Sequence, residues 1–145
     1  KLDFKKLHPA GSLGAQLKTV EDIMITGNKI PFVNENLSVD KALKILSLKK
    51  LGFLVIRDKN RKTNGIITDG QIRRLNENNF NFHSLPVKKI MTKKPITIDK
   101  NELAAKALSI MNTKKITSLI VNKKKKSTTT IGIVHIHTIL ESNIS

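Results

Sequence analysis

Residues 65–74 read Gly65-Ile66-Ile67-Thr68-Asp69-Gly70-Gln71-Ile72-Arg73-Arg74, and residues 132–138 read Gly132-Ile133-Val134-His135-Ile136-His137-Thr138. Each begins with a glycine and a β-branched pair, as a short buried strand does. Each then crosses a polar residue into a stretch with helical spacing of apolar side chains. The two align at an offset of 67. Working outward, Leu54-Val55-Ile56 matches Leu119-Ile120-Val121, and Asp40-Lys41-Ala42-Leu43 matches Ala105-Lys106-Ala107-Leu108, both at an offset of 65. Val20-Glu21-Asp22-Ile23-Met24 matches Val87-Lys88-Lys89-Ile90-Met91 at 67. The change of offset places two extra residues in the loop before Gly132. The chain is therefore an internal repeat. The first copy is read as residues 19–79, a linker as 80–86 and the second copy as 87–145.

Each copy predicts the same elements. A short helix opens it, with Thr19 and Asp22 spaced as a capping box in the first copy. An extended piece follows at Ile30–Val33 and at Pro95–Ile98. An amphipathic helix comes next. Its apolar positions are Val39, Ala42, Leu43 and Leu46 behind an N-cap at Ser38, then Leu103, Ala104, Ala107, Leu108 and Met111 behind Glu102. Two strands flank a polar turn: Phe53–Ile56 with Gly65–Thr68, and Ser118–Val121 with Ile131–His135. A closing helix buries Ile72 and Leu75, or Ile136, Ile139 and Leu140. The predicted fold class is α/β (α+β): two pseudo-twofold-related motifs, each a short β-sheet with packing helices. One copy of about 60 residues is marginal alone, and two together bury a continuous core.

Composition narrows the chemistry. The chain has 145 residues, a formal charge of +16 and no cysteine, which excludes disulfides, thiolate catalysis and Cys-ligated zinc. The 27 basic residues divide into 23 Lys and 4 Arg, and the only aromatic rings are five Phe, since Trp and Tyr are absent. Few guanidiniums and few stacking rings disfavour a nucleic-acid module. Lys, Asn and Ile, at 23, 13 and 19 residues, all have AT-rich codons, which accounts for much of the basicity. No apolar run reaches a membrane span and no signal peptide opens the chain, so a cytoplasmic location is expected. Lys1 in place of an initiator Met reads as the start of a fragment.

A tandem repeat of this length closing on Gly-h-h-Thr-Asp-Gly-x-h-Arg-Arg resembles a pair of CBS domains. Residues 1–18 sharpen the resemblance. His8-Pro9-Ala10-Gly11-Ser12-Leu13-Gly14 running into Asp22-Ile23-Met24-Ile25-Thr26-Gly27 is similar to the joint of arabinose-5-phosphate isomerases, where a sugar-phosphate-binding SIS domain precedes two CBS domains. Ile30-Pro31, Leu51-Gly52, Ile116-Thr117-Ser118 and Gly132 to His137 agree with it. The resemblance implies that residues 1–18 are the linker and tail of an absent SIS isomerase domain. It implies that the parent interconverts ribulose 5-phosphate and arabinose 5-phosphate on the way to the lipopolysaccharide sugar Kdo. The 145 residues are expected to regulate that reaction and not to catalyse it: no Ser/His/Asp or paired-carboxylate constellation is present.

By resemblance, His8 matches the histidine that the family contributes to the isomerase site; in a chain without the rest of that site it is otherwise a terminal residue. Gly11-Ser12-Leu13-Gly14 lacks both phosphate-loop patterns and reads as a turn. The resemblance places effector binding at Thr68, Asp69, Arg73, Arg74, Thr117, Ser118, His135 and His137, where a strand end meets a helix start and exposed N–H groups favour phosphate. The ribose-binding Asp that such modules carry three positions after the Thr is replaced by Gln71 and Thr138. The local cations instead suit an acidic ligand, a nucleotide or a nucleotide sugar such as CMP-Kdo. A CBS pair acting only as an oligomerisation scaffold stays open beside this. Self-association to a dimer, and to a tetramer in the parent, is implied. His135-x-His137 has metal-pair spacing on a strand, but with no third ligand nearby no metal or cofactor is expected. Lys123–Lys126 and the stretch Arg57–Asn64 read as solvated hairpin loops.

Overall fold

A computed structural model describes residues 17–79, 81–124 and 126–142. His8 and the Gly11–Gly14 turn lie outside the described residues, and so does Lys125. The chain divides into two compact units. One is continuous, Asn28–Pro95. The other combines residues up to Gly27 with those from Ile96 onward.

In the continuous unit, β1 (Phe32–Asn34), β2 (Phe53–Arg57), β3 (Thr63–Thr68) and β4 (Thr92–Lys93) form a four-stranded sheet in chain order. β1 runs parallel to β2, while β2–β3 and β3–β4 are antiparallel. Phe53, Leu54, Val55 and Ile56 of the central strand are all buried, the unbroken apolar run of a strand covered on both faces. β3 alternates buried and half-buried residues instead. The amphipathic helix spans Val39–Lys49 and a closing helix spans Asp69–Glu77. Their Ala42, Leu46 and Ile72 share one core with Leu54, Ile67, Phe82, Val87 and Ile90. Ser38 Oγ accepts from Lys41 N at 3.4 Å, which is the predicted N-cap.

The second unit repeats this plan. β5 (Thr97–Ile98) runs parallel to β6 (Ser118–Asn122), which is antiparallel to β7 (Thr130–His135). In place of a fourth strand, Ile25 bridges Ile133, at the position where Thr92 pairs with Ile66. Among the described residues the α-helices, numbered along the chain, are α1 (Val20–Ile23), α2 (Val39–Lys49), α3 (Asp69–Glu77), α4 (Ala104–Lys114) and α5 (Ile136–Glu141). Asp22 accepts from Thr19 N at 2.8 Å and from Thr19 Oγ1 at 3.1 Å, the predicted capping contact. Those two bonds hold the Asp22 carboxyl below the usual range.

Several details depart from the sequence reading. Leu103 does not join the buried stripe: it caps α4 and is 45% exposed. Glu102 precedes the cap and pairs with Lys106 at 3.0 Å. The first helical N–H, on Ala104, is satisfied by the Lys18 carbonyl at 2.8 Å, as Val39 N is by Leu85 O at 2.8 Å. On α4 this backbone bond stands in for a side-chain cap, and on α2 it adds to the Ser38 cap. Leu140 is 44% exposed, because the six-residue α5 turns only Ile139 fully inward. Arg57 is not a solvated loop residue. It ends β2, and its guanidinium carbon lies 3.8 Å above the Phe32 ring. Partial burial, with Arg61 nearby, lowers the Arg57 pKa.

Candidate functional site

The predicted site residues fall into two groups, one per unit. In the continuous unit β3 delivers Thr68 to the start of α3. Thr68 has extended dihedrals, and its Oγ1 accepts from Gln71 N at 3.3 Å, so the hydroxyl caps the helix. Asp69 N donates to Gly52 O at 3.0 Å, which pins the helix start to the beginning of β2. Gly52 has φ +82°, and a methyl there would lie 3.4 Å from the Asp69 carboxylate. A left-handed residue close to a carboxylate is a position that favours glycine. Arg73 and Arg74 are exposed, and both fold back toward the first turn. A methyl on Gly70 would stand 3.4 Å from Arg74 Nη1 and 3.9 Å from Arg73 Nη2. Two guanidiniums therefore converge at the positive end of the helix dipole, beside the first-turn N–H of Gly70; the Asp69 and Gln71 N–H groups are already bonded to Gly52 O and Thr68 Oγ1.

The second unit builds the same corner with different residues. Ile136 N donates to Thr117 O at 2.8 Å, the counterpart of the Asp69–Gly52 bond. Ser118 is buried and pairs in register with His135. His135 occupies the place of Thr68, and its Nδ1 accepts from His137 N at 3.2 Å. The neutral ring therefore carries its proton on Nε2. Burial first, and the neighbouring His137 second, push the His135 pKa down. The rings lie 4.9 Å apart, tilted by 32°. They do not share a strand face, because the strand ends at His135 and His137 is already helical. Among the described residues no group of three or more possible ligands could hold a metal ion.

The sequence reading holds Leu51-Gly52 only as part of the resemblance; it missed the left-handed backbone of Gly52 beside Asp69 and the engagement of Gln71. The Gln71 side-chain amide donates to the Ile90 carbonyl. The residue at the ribose-Asp position is thereby turned onto the backbone that precedes β4.

The CBS domain model matches residues 20–86 and 87–144, nearly the whole chain. The chain belongs to the CBS domain family. This tandem CBS module is 37% identical over 143 residues to an uncharacterised protein of Rickettsia prowazekii, covering 99% of the chain. It is 36% identical over 143 residues to the arabinose 5-phosphate isomerases KdsD of Salmonella typhi and of Escherichia coli K12, covering 98% of the chain. In all three cases the match spans 43% of the relative, so the CBS module corresponds to less than half of each. Among solved structures, the CBS pair of protein MJ0100, in complex with 5'-methylthioadenosine and S-adenosyl-L-methionine, superposes with TM-score 0.75 at 26% identity, covering 86% of this chain and 94% of that one. CBSX2 in complex with AMP superposes with TM-score 0.76 at 23% identity, covering 88% and 96%. No helix among the described residues is long and apolar enough to cross a membrane.

Proposed function

We propose that this CBS pair is the regulatory module of an arabinose 5-phosphate isomerase and binds a nucleotide-type effector. The observation that carries the reading is the start of α3. There Thr68 caps the helix and the Arg73 and Arg74 guanidiniums fold over its first turn. Guanidiniums at a helix N-terminus match a phosphate oxygen in charge and in hydrogen-bond geometry. The solved relatives that hold AMP or S-adenosyl-L-methionine support an adenosine-containing ligand. The basic corner and the place of the isomerase in Kdo synthesis support a nucleotide sugar such as CMP-Kdo. With Gln71 committed to Ile90, the ligand is gripped by its phosphate more than by its ribose.

Thermal shift and calorimetry with AMP, S-adenosyl-L-methionine, 5'-methylthioadenosine and CMP-Kdo test this. A true effector stabilises the chain by about 2.7 kcal/mol at a hundredfold excess over its Kd. The double variant R73A/R74A loses that stabilisation for phosphate-bearing ligands. A second reading, a scaffold that only assembles the parent, draws on the same Gln71 contact, since it withholds the ribose partner. In that case no ligand moves the transition, and removal of the module from the intact isomerase changes its oligomeric state alone.

A further inference from the structure

The unit that includes Ile96 onward holds a cavity of about 630 Å³, none of whose lining residues belongs to the corners described above. Its size lies within the range of roughly 300–1,000 Å³ usual for small-molecule sites. The repeat gives a point of comparison. Thr97 and Asn122 line it, and their counterparts in the other copy, at the offset of 65, are Phe32 and Arg57. There the guanidinium lies over the ring. Here a short Thr replaces the ring, and the Asn122 amide turns away, donating to Ser127 O at 2.8 Å and accepting from Thr130 Oγ1 at 3.1 Å.

The lining has an unusual balance for a chain of charge +16. It holds two carboxylates, Asp99 and Glu102, and two ammonium groups, Lys106 and Lys124. Glu102 and Lys106 pair with each other at 3.0 Å. Asp99 and Lys124 form no ion pair among the described residues. Asp99 Oδ1 accepts from Asn101 N at 2.7 Å, a turn that the other copy makes with Asn34 Oδ1 and Asn36 N at 2.8 Å. The turn needs only the oxygen, so the charge of Asp99 is additional to it. Half-buried Ile110 supplies apolar surface, while Ile98, which also borders the cavity, packs its side chain in the core.

We propose that this cavity binds a small zwitterion, an α-amino acid with an aliphatic side chain. Asp99 receives the ammonium, Lys124 the carboxylate, and Ile110 the side chain. Two carboxylates in the wall disfavour a polyanion, so the site is separate in chemistry from the phosphate seat proposed at α3.

The test is an NMR titration of the 145-residue chain with L-leucine, L-leucinamide and 4-methylpentanoate, the last two lacking one charge each. The expected result is saturable shifts of the Ile98, Asp99, Lys106 and Lys124 amides with leucine alone. D99N keeps the turn, as Asn34 does, and should weaken binding about tenfold or more. T97F/N122R imports the ring and guanidinium of the other copy, whose bulk should abolish binding. No shift with leucine in a well-dispersed spectrum overturns the proposal. So do equal shifts with the amide or the acid, or shifts that survive in D99N. If T97F/N122R does not fold, D99N and the two one-charge analogues still decide.

Discussion

His135 does with an imidazole what Thr68 does with a hydroxyl: it caps a helix by accepting a backbone N–H, here from His137. A hydroxyl does this at any pH near neutrality, whereas an imidazole does it only while Nδ1 is unprotonated. Burial and His137 lower the His135 pKa, so the unfolded chain takes up this proton at higher pH than the folded one. The stability that His135 contributes is therefore complete above the unfolded value of about 6.5. It declines as pH falls below that, by at most about 1.4 kcal/mol per pH unit, and levels off once the folded pKa is passed. Urea unfolding between pH 7.5 and 5 should show the decline. His135→Asn, which keeps an acceptor at the cap, should flatten the difference; an unchanged slope in the variant assigns the effect to another group. The spacing His135-x-His137 was legible in the sequence, but its meaning was not. Read as a strand, it put both rings on one face, and only the position of the strand end shows that one of them is a cap.

Among the elements, the strands and amphipathic helices were readable because burial imposes their periods: a continuous apolar run in β2 and β6, and spacings of three and four in α2 and α4. What pairs with the outer side of β3 and β7 was not readable, since two residues of pairing leave no pattern. There the backbone following each opening helix crosses a glycine. A methyl on Gly65 would come within 2.6 Å of Thr92 O and 2.8 Å of Met91 Cγ. One on Gly132 would come within 2.9 Å of Met24 Cγ, and its three nearest neighbours are all atoms of the Met24 side chain. A methionine side chain can move, and a strand carbonyl held in a ladder cannot without breaking its pair. Gly65→Ala should thus cost about 1–3 kcal/mol in chemical denaturation, and Gly132→Ala less. Met24→Ala should relieve the second and not the first. If the two glycine variants cost the same, the carbonyl is not the obstacle.

On the scale of the molecule, the sequence repeats and the compact units differ. The segment that opens the first repeat, Val20 and Ile23, is buried with Ala104, Leu119 and Val134 from the second. Val87 and Ile90, which open the second, are buried with Val39, Leu54 and Ile67 from the first. An internal repeat shows that two copies exist, and the exchange is invisible in it because equivalent segments fit either copy. The consequence is specific. Residues 28–95 contain every member of one core, although they cut across both repeats. Residues 20–86 form a whole sequence repeat but lack Val87, Ile90 and Met91. They also carry Val20 and Ile23 without the core those residues fill. Both fragments are of a size where folding is marginal and a few buried side chains decide it. Losing Val87 and Ile90 uncovers surface worth about 1.5–3 kcal/mol for each side chain, much of the total stability of a domain this small. Expressed separately, 28–95 should give a dispersed amide spectrum and a cooperative thermal transition, and 20–86 should give neither. A folded 20–86 beside an unfolded 28–95 would show that each repeat closes on its own opening helix.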